Sequence, residues 1–304
     1  MFYAIENGKV KGIQPDSIMP GSKHQIFGLI DFAQAEDILP AAKLNLALLR
    51  ESFEGTTLNY ENRDGFDLMC LTISNPKTPR ASSRVCICIQ KDLLLFFSRD
   101  VSVLSDMMSD MTQEGSSLEF DRILTAFFEK ITAKDADRLE KIETEISNLE
   151  DALMTSVKKN SVREIISLRK RLMGLKRYYE QLLDALDILQ ENENNLIDNR
   201  TMRFFKIFAG RVDRLYHSVL NLRDYVTQVR EAYQAEVDIS LNSTMKIFTV
   251  ITAIFLPLSL IVGWYGMNVQ MPEYKWSFGY PMVIILSIAV VVFCLVYFKK
   301  KKWF

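Results

Sequence analysis

The sequence predicts an α+β protein: an N-terminal α/β domain, long coiled-coil helices, and two C-terminal transmembrane helices. Three observations carry this reading. Between Ile247 and Phe298 the only charges are Glu273 and Lys275, although 25% of the whole chain is charged. From Leu118 to Tyr233 apolar residues recur in steps of three and four, the period of a helix seam. Before that, short β-rich runs alternate with turn residues. The mean hydropathy of +0.03 and the net charge of −1 therefore average two unlike parts.

Residues 1–112 read as the α/β domain. Val85–Ile89 and Leu93–Ser98 are strand-like runs split by Gln90-Lys91-Asp92, a hairpin turn, and Phe66–Ile73 is a further strand. Ala35–Arg50 is expected to be helical with Pro40 in its first turns, and Asn75-Pro76-Lys77-Thr78-Pro79 a loop. Residues 113–245 read as a helical stalk. Its seams are Leu139, Ile142, Ile146, Leu149 and Leu153; then Leu168, Leu172, Leu175, Tyr179, Leu182, Leu186 and Leu189; then Val212, Leu215, Val219, Leu222, Val226, Val229 and Tyr233. Lys158–Ser161 separates the first two helices, and Asn192–Asn195 turns the second into the third. No Gly or Pro interrupts Arg211–Leu256, so the third helix is expected to run unbroken into the apolar stretch.

That stretch supplies a first span at 246–265, a loop at 266–279, a second span at 280–298 and a basic tail at 299–304. Each span approaches the roughly 20 apolar residues needed to cross a bilayer core. Trp264, Tyr265, Tyr274, Trp276, Phe278 and Tyr280 fall at one interface, and Tyr297, Trp303 and Phe304 at the other. Lys299–Lys302 outweigh the lone Lys275 of the loop. By the positive-inside rule the C-terminus is then cytoplasmic, and across two spans so is the N-terminus. Met1-Phe2-Tyr3-Ala4-Ile5-Glu6 lacks the basic start and apolar run of a secretory leader, in keeping with the inner cell membrane as the expected location.

Several classes are disfavoured. The residues before Ile247 carry more acid than base, which gives no support for nucleic-acid binding. Cys70, Cys86, Cys88 and Cys294 are too few for a disulfide scaffold, and the expectation is reduced, partly buried thiols. No phosphate-binding Gly-rich loop, nucleophile–base pairing or metal-ligand cluster points to an enzyme or to a bound cofactor.

Two spans cannot enclose a water-filled path alone, so conduction requires an oligomer. Met245, Thr249, Thr252, Leu256, Ser259 and Gly263 follow helical spacing and form one stripe on the first span. Two readings of its hydroxyls stand: a pore lining, or bonds to the helix's own backbone or a neighbouring helix. Pro257 leaves the Ala253 carbonyl without its usual donor. At the outer end stands Tyr265-Gly266-Met267-Asn268, then Met271-Pro272-Glu273; at the inner end, Asn242-Ser243-Thr244-Met245-Lys246.

Here the sequence resembles the CorA family of magnesium channels, whose mark is Gly-Met-Asn at the end of the first of two C-terminal spans. The likeness is sharp over 203–304 and architectural before that. It implies a homopentameric funnel in the lipid bilayer that passes Mg²⁺, with Co²⁺ and Ni²⁺ as further divalent cargo. Asn268 would form the entry selectivity ring, with Gly266 permitting an unusual backbone turn, and Asn242 a second ring at the inner mouth. The family's lining positions fall on Met245, Phe248, Thr252, Leu256, Ser259 and Gly263, with Met245, Phe248 and Leu256 as an apolar gate. Glu273 would either concentrate cations at the mouth or be a solvated loop acid. Mg²⁺ dehydrates reluctantly, so neutral oxygens that accept hydrogen bonds from its waters suit it better than carboxylates, which would hold it too long.

The chain also departs from the family. CorA channels close when magnesium bridges carboxylates between neighbouring cytoplasmic domains. Counting back from Gly-Met-Asn, the stalk carboxylate falls on Ile207. The partner motif, acids followed by Gln-Arg-Pro-Lys, is missing, and Glu54–Asp67 occupies roughly its place. Sensing is then expected to be weak or to use other acids, such as Asp106, Asp110 or Asp213. The nearest rival is a zinc or other divalent transporter of the same superfamily. Met267 favours magnesium, and His24 and His217, both outside the spans, offer no soft-metal path. A membrane-tethered coiled-coil signalling protein is the alternative of another class.

Overall fold

The computed structural model of this 304-residue chain describes residues 2–6, 9–14, 25–38, 40, 44–55, 59–63, 65–74, 82–101, 104–105, 120–155, 161–268 and 276–303. It divides into two units, Met1–Thr227 and Gln228–Phe304.

The first unit is built on a seven-stranded sheet. Its strands are β1 (Phe2–Glu6), β2 (Lys9–Ile13), β3 (Gln25–Asp31), β4 (Asn59–Arg63), β5 (Phe66–Ser74), β6 (Ser82–Gln90) and β7 (Leu93–Ser98), in the order β2-β1-β3-β7-β6-β5-β4. All neighbours are antiparallel except β3 and β7, which run parallel. Every residue of β7 is buried, as a central strand covered on both faces requires. The expected strands within β5, β6 and β7 are present. β1 to β4 were not among the expected strands; of these, Asn59–Arg63 is a polar run with no alternation of its own.

One face of the sheet packs on α1 (Leu46–Glu54), with Leu49 and Phe53 meeting Ile30, Leu68, Leu95 and Phe97. The single helix expected over Ala35–Arg50 is two elements. A 3₁₀ turn spans Phe32–Asp37, and α1 starts only at Leu46, where the Asn45 side chain accepts from the Ala47 N–H. Proline at 40 lacks the N–H that a continuous helix would need, and asparagine at 45 supplies a start signal. The Arg84 guanidinium closes the other end of α1 by donating to the Ser52 carbonyl at 2.8 Å.

The thiol expectation is corrected here. Cys70 and Cys86 are directly paired across β5 and β6 and form a disulfide. They stand 16 positions apart in the sequence, so only strand register makes them neighbours. Cys88 is free, and burial pushes its thiol up to about 12, which makes it inert.

On the opposite face lie α2 (Phe120–Thr132), against β3, and α4 (Ser161–Glu191), against β5; α3 (Asp135–Thr155) packs along α4, and α5 (Asn199–Tyr265) follows. Phe127 of α2 lies against Phe96 of the sheet, and Phe128 meets Phe205 of α5 edge-on. The first two seams are buried throughout, and the third is buried at Val212, Val219, Leu222, Val226 and Val229. Between α4 and α5 the chain reverses at Asn192 and Asn195, both with positive φ (45° and 51°). Asparagine tolerates this conformation, and the Asn192 side chain bridges the turn through the Ile197 N–H and carbonyl.

Asn194 fastens that turn to the sheet. Its side-chain NH₂ lies 2.7 Å from Asp67 Oδ1, 2.9 Å from Asn62 Oδ1 and 2.9 Å from the Arg63 carbonyl. Asn62 in turn donates to Glu193 Oε2 at 2.6 Å. Gly65, at φ 90°, allows the tight β4–β5 turn that brings these groups together. Asp67 is buried, which raises its carboxyl above the ordinary range, while donors from Asn194 and Tyr60 oppose the rise. Asp198 then starts α5, accepting from the Thr201 N–H at 2.6 Å.

The second unit contains the rest of α5 and α6 (Gly279–Lys300). α5 is one 67-residue helix, about 100 Å at 1.5 Å per residue, and it runs unbroken through Arg211–Leu256, the stretch without Gly or Pro. Pro257 lies inside it. α6 ends in a Schellman cap. Lys302 takes a positive φ (56°), Trp303 N–H donates to the Phe298 carbonyl at 3.1 Å, and the Trp303 ring packs on Phe298.

Candidate functional site

Within the second unit, α5 and α6 are both long and apolar enough to cross a membrane. Over the span α5 presents distinct faces. Val250 is buried, and Ala253, Pro257, Ile261 and Tyr265 are half-buried, on the side where Cys294 of α6 reaches the Ala253 carbonyl. Met245, Phe248, Thr252, Leu256, Ser259 and Gly263 are all exposed. At 3.6 residues per turn their stripe is centred about 150° round the helix from that shielded side. The stripe read from the sequence is thus brought together on the face that α6 leaves bare. Asn242 is exposed one turn below it.

The hydroxyls settle part of their own ambiguity. Thr249 donates to the Met245 carbonyl and Thr252 to the Phe248 carbonyl, each at 2.8 Å. Both protons are used inside the helix, so each oxygen faces outward as an acceptor only. Thr249 and Thr252 therefore offer acceptors, and there is no charge from Ile247 to Tyr265.

At the outer end Gly266 N–H donates to the Val262 carbonyl at 2.8 Å, and Met267 and Asn268 follow, exposed. Gly266 does not use glycine's left-handed freedom, against the unusual turn expected of it. Glycine is needed there for space: a Cβ would stand 2.7 Å from the Val262 oxygen, a backbone atom that cannot step aside. Glu273 lies outside the described residues, as do Met271, Pro272, Asp106, Asp110 and His24. In the first unit Ile207 is 75% exposed on α5, an apolar side chain bare to solvent. The exposed Asp213 has His217 Nε2 at 3.6 Å, one turn away on the same helix.

Two features escaped the sequence. The Asn194 clamp has no sequence signal, because it joins residues more than a hundred positions apart. The partner of the Ala253 carbonyl was half visible: Pro257 marks the acceptor, but only the packed hairpin shows Cys294, with Sγ 3.6 Å from the oxygen.

The family model for the CorA-like Mg²⁺ transporter proteins matches residues 37–300. The chain belongs to the CorA family. It is accordingly a membrane protein of a family of ion transporters, and not one of enzymes. The cobalt/magnesium transport protein CorA of Thermotoga maritima is 29% identical over 227 residues, covering 73% of this chain. The chain spans about two thirds of that relative, 65% of its length. Among solved structures, the complete CorA magnesium transporter of Methanocaldococcus jannaschii superposes with a TM-score of 0.82 at 18% identity, covering 100% of this chain and 99% of that one. The ZntB cytoplasmic domain of Vibrio parahaemolyticus superposes with a TM-score of 0.66 at 12% identity, over 78% of this chain and 97% of that one. At these identities the structures bear on the fold alone, and the CorA architecture of sheet domain, long helix and two apolar helices is that fold.

Proposed function

We propose that this chain is one subunit of a homopentameric channel of the inner cell membrane, passing hydrated Mg²⁺ inward down the membrane potential. The observation that carries the proposal is the uncharged stripe on the bare face of α5, ending at Asn268. Five copies arranged about that stripe would surround a path lined by hydroxyl acceptors, a glycine and apolar rings. Apolar surface outside the spans supports several copies: Ile207, Ile239 and Leu241 are 75%, 64% and 59% exposed in the single chain. Surface of this kind is a mark of an interaction face.

The chemistry follows from the ion. Mg²⁺ keeps its waters, so the groups that meet it must accept hydrogen bonds from water. The Asn268 side-chain carbonyl can do so at the outer mouth, the Thr252 oxygen in the middle, and Asn242 at the inner mouth, about 35 Å along the helix from its end at Tyr265. Met245, Phe248 and Leu256 close the path by dewetting when their rings approach. No carboxylate traps the ion, and the potential supplies about 2.3 kcal/mol per charge per 100 mV. Lys299–Lys302 after the second span support a cytoplasmic position for both termini. Glu273, in the outer loop, attracts cations to the mouth. Ile207 cannot ligate a metal, so closure by cytoplasmic Mg²⁺ is either weak here or uses other acids, such as Asp213. The stripe bears no thiolate or imidazole, which disfavours zinc as cargo.

Asn268→Ala in proteoliposomes tests the reading. Mg²⁺ uptake driven by an imposed potential should fall at least tenfold, with the protein still pentameric by native mass spectrometry. Unchanged Mg²⁺ uptake removes the selectivity ring, and Zn²⁺ uptake that needs a proton gradient would favour the rival.

A further inference from the structure

A carbonyl inside a membrane helix has no water to turn to, and leaving it unpaired costs several kcal/mol. Pro257 creates such a carbonyl at Ala253 by removing the N–H four residues on. The polar groups of the two spans do not answer it from within α5. Thr249 and Thr252 donate to carbonyls of their own helix, and Ser287 of α6 does the same, to Val283 at 2.8 Å. The donor arrives from the second span. Cys294 lies on the half-buried seam of α6, with Val283, Ser287 and Val290, one turn before the buried Phe298. Its thiol donates across the hairpin to the Ala253 oxygen at 3.6 Å.

We propose that Cys294 is a positioning residue of the pore helix: its S–H satisfies the carbonyl freed by Pro257 and so holds α6 against α5 at that level. Thiol chemistry suits the task. A hydroxyl at this position has a strong acceptor in its own helix four residues back, as the bonds of Thr249, Thr252 and Ser287 illustrate. A thiol is a weak donor with a longer reach, so it forgoes less within its own helix and crosses to the neighbour. The carbonyl belongs to the residue beside Thr252, between the levels of Phe248 and Leu256. Any movement that draws α6 away from α5 leaves that carbonyl bare, so the contact ties the second span to the first at the height of the proposed gate.

The consequence for gating rests on the channel reading; the contact itself does not, and the test has one arm for each. The first arm is infrared spectroscopy of the full-length protein in lipid vesicles. The S–H stretching band of Cys294 is isolated as the difference between wild type and Cys294→Ala. The expected band lies below that of an alkanethiol in hydrocarbon, and it moves back up in Pro257→Ala, whose restored N–H competes for the carbonyl. A wild-type band at the free-thiol position overturns the proposal, whatever the protein transports. The second arm is a double-mutant cycle on Mg²⁺ uptake. Cys294→Ala should change the rate about three- to tenfold in the Pro257 background, the range of interhelical hydrogen bonds in membranes. It should have less than about a twofold effect beside Pro257→Ala. An equal effect in both backgrounds reduces Cys294 to packing and overturns the proposal. A wild-type protein that carries no Mg²⁺ refutes the channel reading instead, and the infrared arm then decides the contact alone.

Discussion

Truncating Asn194 to alanine isolates the link between the sheet and the start of the long helix. The side-chain NH₂ has two protons and several acceptors, so it can make at most two good bonds. The shortest contact is to the carboxylate of Asp67, which is 2% exposed. Losing a donor to a buried charged group costs about 1.5–3 kcal/mol, and a neutral bond adds about 1. Other acceptors recover partners or water, so about 2–3 kcal/mol remains for local opening of the β4–β5 hairpin and the α4–α5 turn. That corresponds to a roughly 30- to 150-fold loss of amide protection. Hydrogen exchange by mass spectrometry on the full-length protein reads it in peptides covering 59–70 and 188–200. Protection in the β6–β7 hairpin should stay unchanged. A loss below about fivefold in the first two regions would mean that the clamp is incidental. The same cluster predicts a pH dependence. Burial raises the Asp67 carboxyl, so the folded state holds its proton to higher pH than the unfolded chain does. Its contribution to stability is therefore complete below the ordinary aspartate range and is lost as pH rises through the raised value. Asp67→Asn should flatten that fall; an unchanged slope would place its origin elsewhere.

Two further substitutions test the site and the sheet. Gly266→Ala forces a methyl against the Val262 oxygen, 2.7 Å from where its Cβ must sit, so it should displace the Met267-Asn268 segment. Mg²⁺ uptake should then fall about as far as in Asn268→Ala, while Gly263→Ala, whose Cβ meets nothing within 4 Å in the single chain, should retain the fold of the hairpin. Equal uptake in wild type and Gly266→Ala would contradict the steric account. For the sheet, alkylation of the denatured, unreduced protein should label Cys88 and Cys294 alone, and reduction should add Cys70 and Cys86. Four labels before reduction would show that register brings the pair together without joining it.

What could be read in advance followed from signals that are local and repeated. The seams from Leu139 to Val229 and the apolar stretch after Ile247 are long enough for period and length to speak for themselves, and the Asn192–Asn195 reversal carries the residues that tolerate positive φ. What could not be read depended on register or on tertiary partners. The Cys70–Cys86 pairing is invisible until β5 and β6 are aligned. The strand Asn59–Arg63 exists because β5 pairs with it, whatever its own propensity. Pro40 was expected within the first turns of a helix over Ala35–Arg50, whereas the start signal that the chain uses is Asn45. Gly266 was expected to serve an unusual backbone turn and is instead short of space, since sequence shows that a side chain is absent and only coordinates show whether angle or space demands it.

The stripe on α5 raises a question of economy between two solvents. Below the span the helix faces water on its outer side, and within the span lipid and its neighbours; yet it is one uninterrupted helix. A charged lining would have suited a cation but would have burdened this helix with groups costing about 2.5–3.5 kcal/mol each at the bilayer centre. Threonine avoids that cost in a specific way. By spending its proton on the carbonyl four residues back, it enters the membrane with its donor already satisfied and carries only an acceptor outward. An acceptor is what the protons of a hydrated cation require. On the proposed reading, Thr252→Val should leave the hairpin intact and slow Mg²⁺ uptake, whereas Thr252→Ser should restore it, because serine repeats the same back-bond with the same outward oxygen. If valine conducts as well as threonine, the acceptor argument fails and the path is set by its apolar rings alone.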